Sequence, residues 1–183
     1  PTREEIIEKM GVPIEKTFLE FTMGELHPEN LPAVLSYFRE RYAENSRLHS
    51  VLFDGIKEFL EACNALQFPV VVLTSKKTES AERDLARLGV LDSIFHVIGS
   101  DKVNNYKPAP DSIFRGRDIL KDFTIGAEVM IGDAEVDILM GKAVGIKTCA
   151  VTWGSHSEER LMSSNPDFLA RSVNELLPVI EKL

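Results

Sequence analysis

The sequence predicts an α/β protein: a parallel sheet with helices on both faces, preceded by a small all-helical unit. Three observations carry that expectation. From Ile56 onward, apolar runs of strand length alternate with stretches of helical period, the pattern of repeated strand-to-helix crossovers. Before about His49 no strand-like run occurs, and apolar residues recur only at helical spacing. Between the two textures lies Leu48-His-Ser-Val-Leu-Phe-Asp-Gly55, which sets the boundary. Residues 1–49 form the helical unit and residues 50–183 the α/β core.

Thr2-Arg3-Glu4-Glu5 is a capping box, in which a hydroxyl and a carboxylate satisfy reciprocal orphan amides, so a helix begins at the second residue. Ile6, Ile7 and Met10 form its stripe, and Gly11 ends it. Ile14 to Phe21 predicts a second short helix. Leu31, Val34, Leu35, Phe38 and Tyr42 keep the spacing of an amphipathic third. Two or three helices are too few for a secure core of their own, so this unit is expected to pack on the rest.

The second part opens with a helix carrying Ile56, Phe59, Leu60, Cys63 and Leu66 on one face. Phe68-Pro-Val-Val-Val-Leu-Thr74 follows and reads as a fully buried strand. Next come a helix near Glu79 to Leu88 closed by Gly89, a strand near Phe95 to Ile98, and a helix near Asp111 to Leu120. Val129 to Ile131 is a strand, Asp133 opens an acidic loop before a helix, Lys147 to Val151 is a strand, and Asn174 to Lys182 is the final helix.

Composition narrows the function. The 183 residues are 44% hydrophobic and 27% charged, ordinary for a globular chain with one good core. Lys plus Arg number 21 against 29 Asp plus Glu, a net charge of −8. That balance disfavours nucleic acid and anionic membranes as partners, and an anionic substrate then needs a local positive site. No apolar run approaches the roughly 18 residues of a membrane span, and the start is acidic rather than signal-like, so a cytoplasmic location is expected. Cys63 and Cys149 sit in apolar patterns without metal or redox spacing and are expected as buried thiols. His27, His49, His96 and His156 lack ligand spacing and are expected at the surface or its boundary.

Three loops after strands carry the chemistry. Asp133 follows Val129-Met-Ile-Gly132, and Asp137 lies one turn into the next helix, so both can reach a ligand beyond the strand's carboxyl end. Two convergent acids suit a hard divalent cation such as Mg2+. The alternative is a solvated loop acid followed by a first-turn acid favoured by the helix dipole. Thr74-Ser75 ends the Val-Val-Val-Leu run, where hydroxyls and free amides can hold a phosphate oxyanion or simply cap a helix. Lys107, in Asn105-Tyr-Lys-Pro-Ala-Pro-Asp111, is held by two prolines. Its ammonium either neutralises phosphate charge or is merely solvated.

In order and spacing, Val-Leu-Thr74-Ser75, Tyr-Lys107-Pro-Ala-Pro-Asp and Ile-Gly-Asp133-Ala-Glu-Val-Asp137-Ile-Leu-Met-Gly-Lys-Ala-Val-Gly-Ile closely resemble the later motifs of the haloacid-dehalogenase-like (HAD) hydrolases. The likeness is closest to the phosphoglycolate-phosphatase-like branch and spans nearly the whole chain. It implies a Rossmann-like HAD core with a small helical cap. It also implies a Mg2+-dependent phosphomonoester hydrolase that acts through an aspartyl-phosphate on a small phosphorylated metabolite, as a monomer or weak homodimer. By the same resemblance Thr74 and Lys107 are catalytic. The Thr74 hydroxyl and Ser75 amide bind the phosphoryl group, Lys107 offsets charge, and Asp133 with Asp137 holds the metal. Ser75 stands where the family commonly has Asn.

The family's first motif, Asp-x-Asp-Gly-Thr, has no counterpart. Val51-Leu-Phe-Asp-Gly55 has Leu52 in place of the first Asp and Ile56 in place of Thr, and reads as a turn before the first core helix. In the family that motif follows a strand lying between the Val70 to Leu73 and Val129 to Ile131 strands. Its omission leaves two strand edges facing a gap. The expectation is therefore that nucleophile and general acid lie on an N-terminal segment outside this sequence, of roughly 20 to 40 residues by ordinary element lengths. On that expectation the 183 residues alone are inactive. The alternative is a non-catalytic HAD-like binding or scaffold module that kept the phosphate and metal cradle. Arg39, Arg41 and His27 are candidate cap contacts to the substrate; phosphoglycolate, a sugar phosphate, a nucleotide and pyrophosphate all stay open.

Overall fold

A computed structural model of the chain describes residues 1–124 and 126–183. The helical unit starts as its capping box predicts. Thr2 N–H donates to the Glu5 carboxylate at 2.7 Å, and Glu5 N–H donates to Thr2 Oγ1 at 3.2 Å, opening α1 (Arg3–Glu8). α2 (Ile14–Phe21) and α3 (Leu31–His49) follow. An aromatic seam joins them: Phe18 meets Phe38 edge-on at 5.4 Å, and Phe38 stacks with Tyr42 at 5.8 Å. An Arg39–Glu15 ion pair closes the same seam.

The remaining elements are α4 (Ile56–Ala65), β1 (Val71–Leu73), α5 (Thr78–Arg87), β2 (His96–Ile98), α6 (Asp111–Ile119), β3 (Val129–Gly132), α7 (Glu135–Ala143), β4 (Lys147–Val151), α8 (Glu158–Ser163), β5 (Phe168–Ala170) and α9 (Leu176–Ile180). All strand pairs are parallel. β1 pairs with β2, Val71 opposite His96; β3 pairs with β4, Ile131 opposite Cys149; β4 pairs with β5, Ala150 opposite Leu169. Among the described residues β1 pairs with β2 alone and β3 with β4 alone, so each keeps one open edge.

Alternation along β4 explains the layers, because successive side chains point to opposite faces. Cys149 and Val151 enter a core with Val173, Leu176 and Val179, against which Ile56 and Phe59 of α4 pack. Ala150 faces the other way, onto Ile138 of α7 and Leu161 of α8. Helices thus cover both faces, as expected. The two strand groups share a third cluster, in which Leu73 of β1 packs against Ile113, Met130 and Met140. Both cysteines are buried and free. Burial pushes their thiols up, that of Cys149 to about 11, which leaves them unreactive at neutral pH.

Several expectations need correction. The first strand is three residues long and only partly buried, since one edge is open. Leu66 stands at the C-cap of α4 rather than on its inner face and is 49% exposed. The last helix is a 3-10 turn (Val173–Glu175) leading into the short α9. Besides two 3-10 turns, Leu91–Ser93 and Ser100–Lys102, a helix and a strand carry no sequence period. α8 has only six residues, capped by Ser157 Oγ accepting from Arg160 N–H, and β5 has only three, too few for a period to show.

Candidate active site

The site is built at the carboxyl ends of β1 and β3. Thr74 N–H extends the β1–β2 ladder by donating to Ile98 O at 3.0 Å. Its Oγ1 accepts from Lys76 N–H at 3.2 Å, leaving the hydroxyl proton for a ligand. Neither Thr74 nor Ser75 caps α5, whose N-cap is Lys77. The loop they occupy is tied down from the β2 side. Thr78 donates to Asp101 Oδ1 through both its amide (2.6 Å) and its hydroxyl (2.9 Å), and Gly99 N–H donates to Thr78 Oγ1 at 3.1 Å. Ser100 N–H donates to Lys76 O at 2.9 Å. Partial burial opposes ionisation of Asp101, but these bonds outweigh it and hold the carboxyl below the usual range. A Cβ at Gly99 would collide with the Thr78 amide, so only glycine permits this approach.

Lys107 is fixed by the loop before α6, in which Asn105 donates to Asp111 through its amide and side chain at 3.0 and 3.1 Å. Its Nζ donates to Leu73 O at 2.8 Å and to Asp137 Oδ1 at 2.7 Å. The Lys107 and Asp137 side chains are 13% and 6% exposed. One ammonium therefore bridges the end of β1 and the start of α7. Asp137 sits at the third position of α7, and its Oδ2 accepts from Ala134 N–H at 3.2 Å, so both its oxygens have partners. Asp133 immediately follows β3 and is half-buried. Its Oδ2 accepts from Ser155 N–H (2.7 Å) and Ser155 Oγ (2.8 Å), while Oδ1 has no hydrogen-bond partner among the described residues.

Thr74, Ser75 and Lys107 line one narrow cleft with Tyr106 and, from the helical unit, Gly11 and Pro13; its free volume is about 10 Å³, room for a water-sized group. Asp137 joins the cleft through Lys107. Asp133 is not part of the lining, and among the described residues no three acidic, His or Cys side chains gather into a metal cage. The arrangement can hold an oxyanion against a fixed cation.

A family model described as haloacid dehalogenase-like hydrolase matches residues 1–151. The chain belongs to that family.

The chain is also similar to individual proteins. "Pyrophosphatase PpaX" of Halalkalibacterium halodurans is 30% identical over 183 residues, covering 97% of this chain and 80% of its own. "Probable phosphatase IndB" of Dickeya dadantii is 26% identical over 181 residues, covering 96% and 76%. Among solved structures, a haloacid dehalogenase-like family protein of Streptococcus pneumoniae superposes with a TM-score of 0.79 at 25% identity, over 98% of this chain and 82% of that one. A predicted phosphatase from Clostridium acetobutylicum gives 0.82 at 24%, with the same coverage; at that identity it speaks for the fold alone.

The candidate cap residues lie away from this cleft. Arg39 is paired with Glu15, and Arg41 with Glu44 at 3.3 Å. Neither they nor His27 line the cleft, and the helical unit contributes Gly11 and Pro13 instead. A Cβ on Gly11, whose φ is +86°, would lie 2.7 Å from Val136 Cγ2, so the turn before α2 rests directly on α7. His156 is not a surface residue. It is 3% exposed, its Nδ1 accepts from Glu135 N–H at 3.0 Å, and its own N–H donates to Asp133 O at 3.1 Å. Burial, aided by the charge of Arg160, pushes it below its ordinary value. Asp101, Thr78, Ser155 and His156 escaped the sequence reading because each acts across about twenty residues, with no local spacing to mark it.

Proposed function

We propose that this HAD-like hydrolase is a Mg2+-dependent phosphatase acting on a small phosphorylated metabolite through an aspartyl-phosphate. The observation that carries the reading is Lys107, held between Leu73 O and Asp137 Oδ1 in the cleft that Thr74 and Ser75 line. Phosphoryl transfer spreads negative charge over oxygens, and its catalysis is mostly positioning plus placement of positive charge. A fixed ammonium beside a free hydroxyl proton and a loop amide meets that demand in a chain of net charge −8.

Mg2+ fits Asp133. It is a hard cation that keeps several waters and takes one or two carboxylates plus substrate oxygens rather than a full protein cage, and Asp133 offers one unpartnered carboxylate oxygen. Bound there, it would neutralise phosphate charge. Asp137 would serve mainly by holding Lys107, with both its oxygens already engaged. The nucleophilic carboxylate belongs, on this reading, to a strand upstream of Pro1 seated between the open edges of β1 and β3. The two edges and the Lys107 bridge support that placement.

The test is phosphate release by the natural polypeptide from phosphomonoesters and from pyrophosphate, which the names of several relatives bring forward, with and without Mg2+. Asp133→Asn should lower turnover by on the order of 10²-fold or more; undiminished turnover sinks the assignment. The lack of an Asp-x-Asp-Gly-Thr motif in these 183 residues favours a second reading, a module that binds phosphate and does not turn it over. Phosphate binding by the natural polypeptide without phosphate release would establish it.

A further inference from the structure

We propose that the turn after β4, Gly154-Ser155-His156, is a cation-selectivity element that makes Asp133 a one-oxygen ligand and so favours Mg2+ over Ca2+. The inference rests on the reading of Asp133 as the metal-binding carboxylate.

The turn grips Asp133 on three sides. Ser155 places two donors on Oδ2, the amide at 2.7 Å and the hydroxyl at 2.8 Å. Such bonds to an ionised acceptor are the strong ones. Gly154 makes the approach possible, because a Cβ there would collide with the Asp133 side chain. His156 secures the backbone: its N–H donates to Asp133 O at 3.1 Å and its ring nitrogen accepts from Glu135 N–H at 3.0 Å. The ring is buried, and its other nitrogen has no partner. The fold accepts that desolvation to keep the bracket over residues 133 to 135. Oδ2 is thus doubly occupied and Oδ1 is the one oxygen left.

The two common hard cations read that difference. Ca2+ takes six to eight oxygens in flexible geometry and readily accepts both oxygens of one carboxylate, whereas Mg2+ demands near-ideal octahedral placement at shorter distance. A carboxylate whose second oxygen is occupied can give Mg2+ what it needs and denies Ca2+ the two-oxygen mode. Ser155 acts here as a positioning residue, through Asp133.

Competition of Mg2+ and of Ca2+ against Mn2+, followed by the EPR signal of free Mn2+, tests this on the natural polypeptide without an activity readout. Ser155→Ala should weaken Mg2+ by on the order of 10-fold, as loss of an outer partner does, while leaving Ca2+ unchanged or tighter; Ser155→Thr should restore the ratio. Ser155→Gly, which also lacks the hydroxyl, must show the same fall in the Mg2+ to Ca2+ ratio. Equal weakening of both cations, or of neither, overturns the selectivity role. A different result, in which Asp133→Asn leaves cation binding intact or the parent protein binds no cation, overturns the metal reading on which it stands.

Discussion

At the scale of single residues, the Lys107–Asp137 pair carries the clearest energetic consequence. Both groups are largely buried, and each holds the other plus a backbone partner. Removing one member of such a pair strands the other as an uncompensated charge, at a cost of about 3–5 kcal/mol. Lys107→Met should lower stability by roughly that amount in urea denaturation. The double variant Lys107→Met/Asp137→Leu should recover part of it, and a double variant less stable than the single would count against the pair. Thr74, Asp133 and Asp137 stand out in the sequence because they follow strand ends, and Lys107 because two prolines flank it; each alone also reads as a cap or a solvated charge, and it is the order and spacing of the three motifs that join them into one candidate site. Ser155 and His156 do not stand out. What ties them to Asp133 and Glu135 is a contact 21 or 22 residues back along the chain, and an isolated Ser-His after Trp-Gly carries no periodicity to announce it.

At the scale of elements, links between neighbouring strands and loops decide how firmly the site is held. Asp101 ties the loop after β2 to the loop after β1 through Thr78. Asp101→Ala should loosen Thr74 and Ser75 and weaken inorganic phosphate binding by about 10-fold, on the order of one charge-assisted bond, readable by titration calorimetry. Asp167 does comparable work between β4 and the segment before β5. Lys147 Nζ, Thr148 N–H and Thr148 Oγ1 all donate to it at 2.8–2.9 Å. The Lys147 bond first, then those from Thr148, holds its carboxyl down at about 2. A depressed folded pKa adds stability above the unfolded value near 4, and that stability is lost as pH falls from about 4 toward 2. Asp167→Asn should therefore flatten the acid limb of a stability–pH curve in that window while changing its slope little above pH 5. Long, periodic segments declare themselves in the sequence, and very short ones do not. α3 and β4 appear where the pattern puts them, and the Thr2–Glu5 box starts α1 as drawn. β5 and α8, with three and six residues, give no period, and β1 is shorter than its apolar run because Phe68-Pro-Val reads apolar whether or not the backbone pairs.

Over the whole molecule, the helical unit and the α/β core meet at a few specific contacts. Arg87 of α5 donates to Arg47 O at 3.5 Å, Lys76 lies 5.1 Å from the Tyr42 ring, and Gly11 rests on Val136. The last of these sits nearest the cleft and is the most demanding. Gly11 has φ +86°, a conformation that costs an L-residue about 1–2 kcal/mol, and its missing side chain is what lets the turn lie on α7. Two separable terms then oppose Gly11→Ala: the backbone cost and the collision of the new Cβ with Val136 Cγ2. Gly11→Ala should destabilise the protein by more than the backbone cost alone. Adding Val136→Ala removes the colliding methyl, so the double variant should be less destabilised than the sum of the two single changes, with about 1–2 kcal/mol remaining. Strict additivity in a denaturation cycle would mean that the turn does not bear on α7. Coupling would show that the residues closing the cleft are held in place by the helix that carries Asp137.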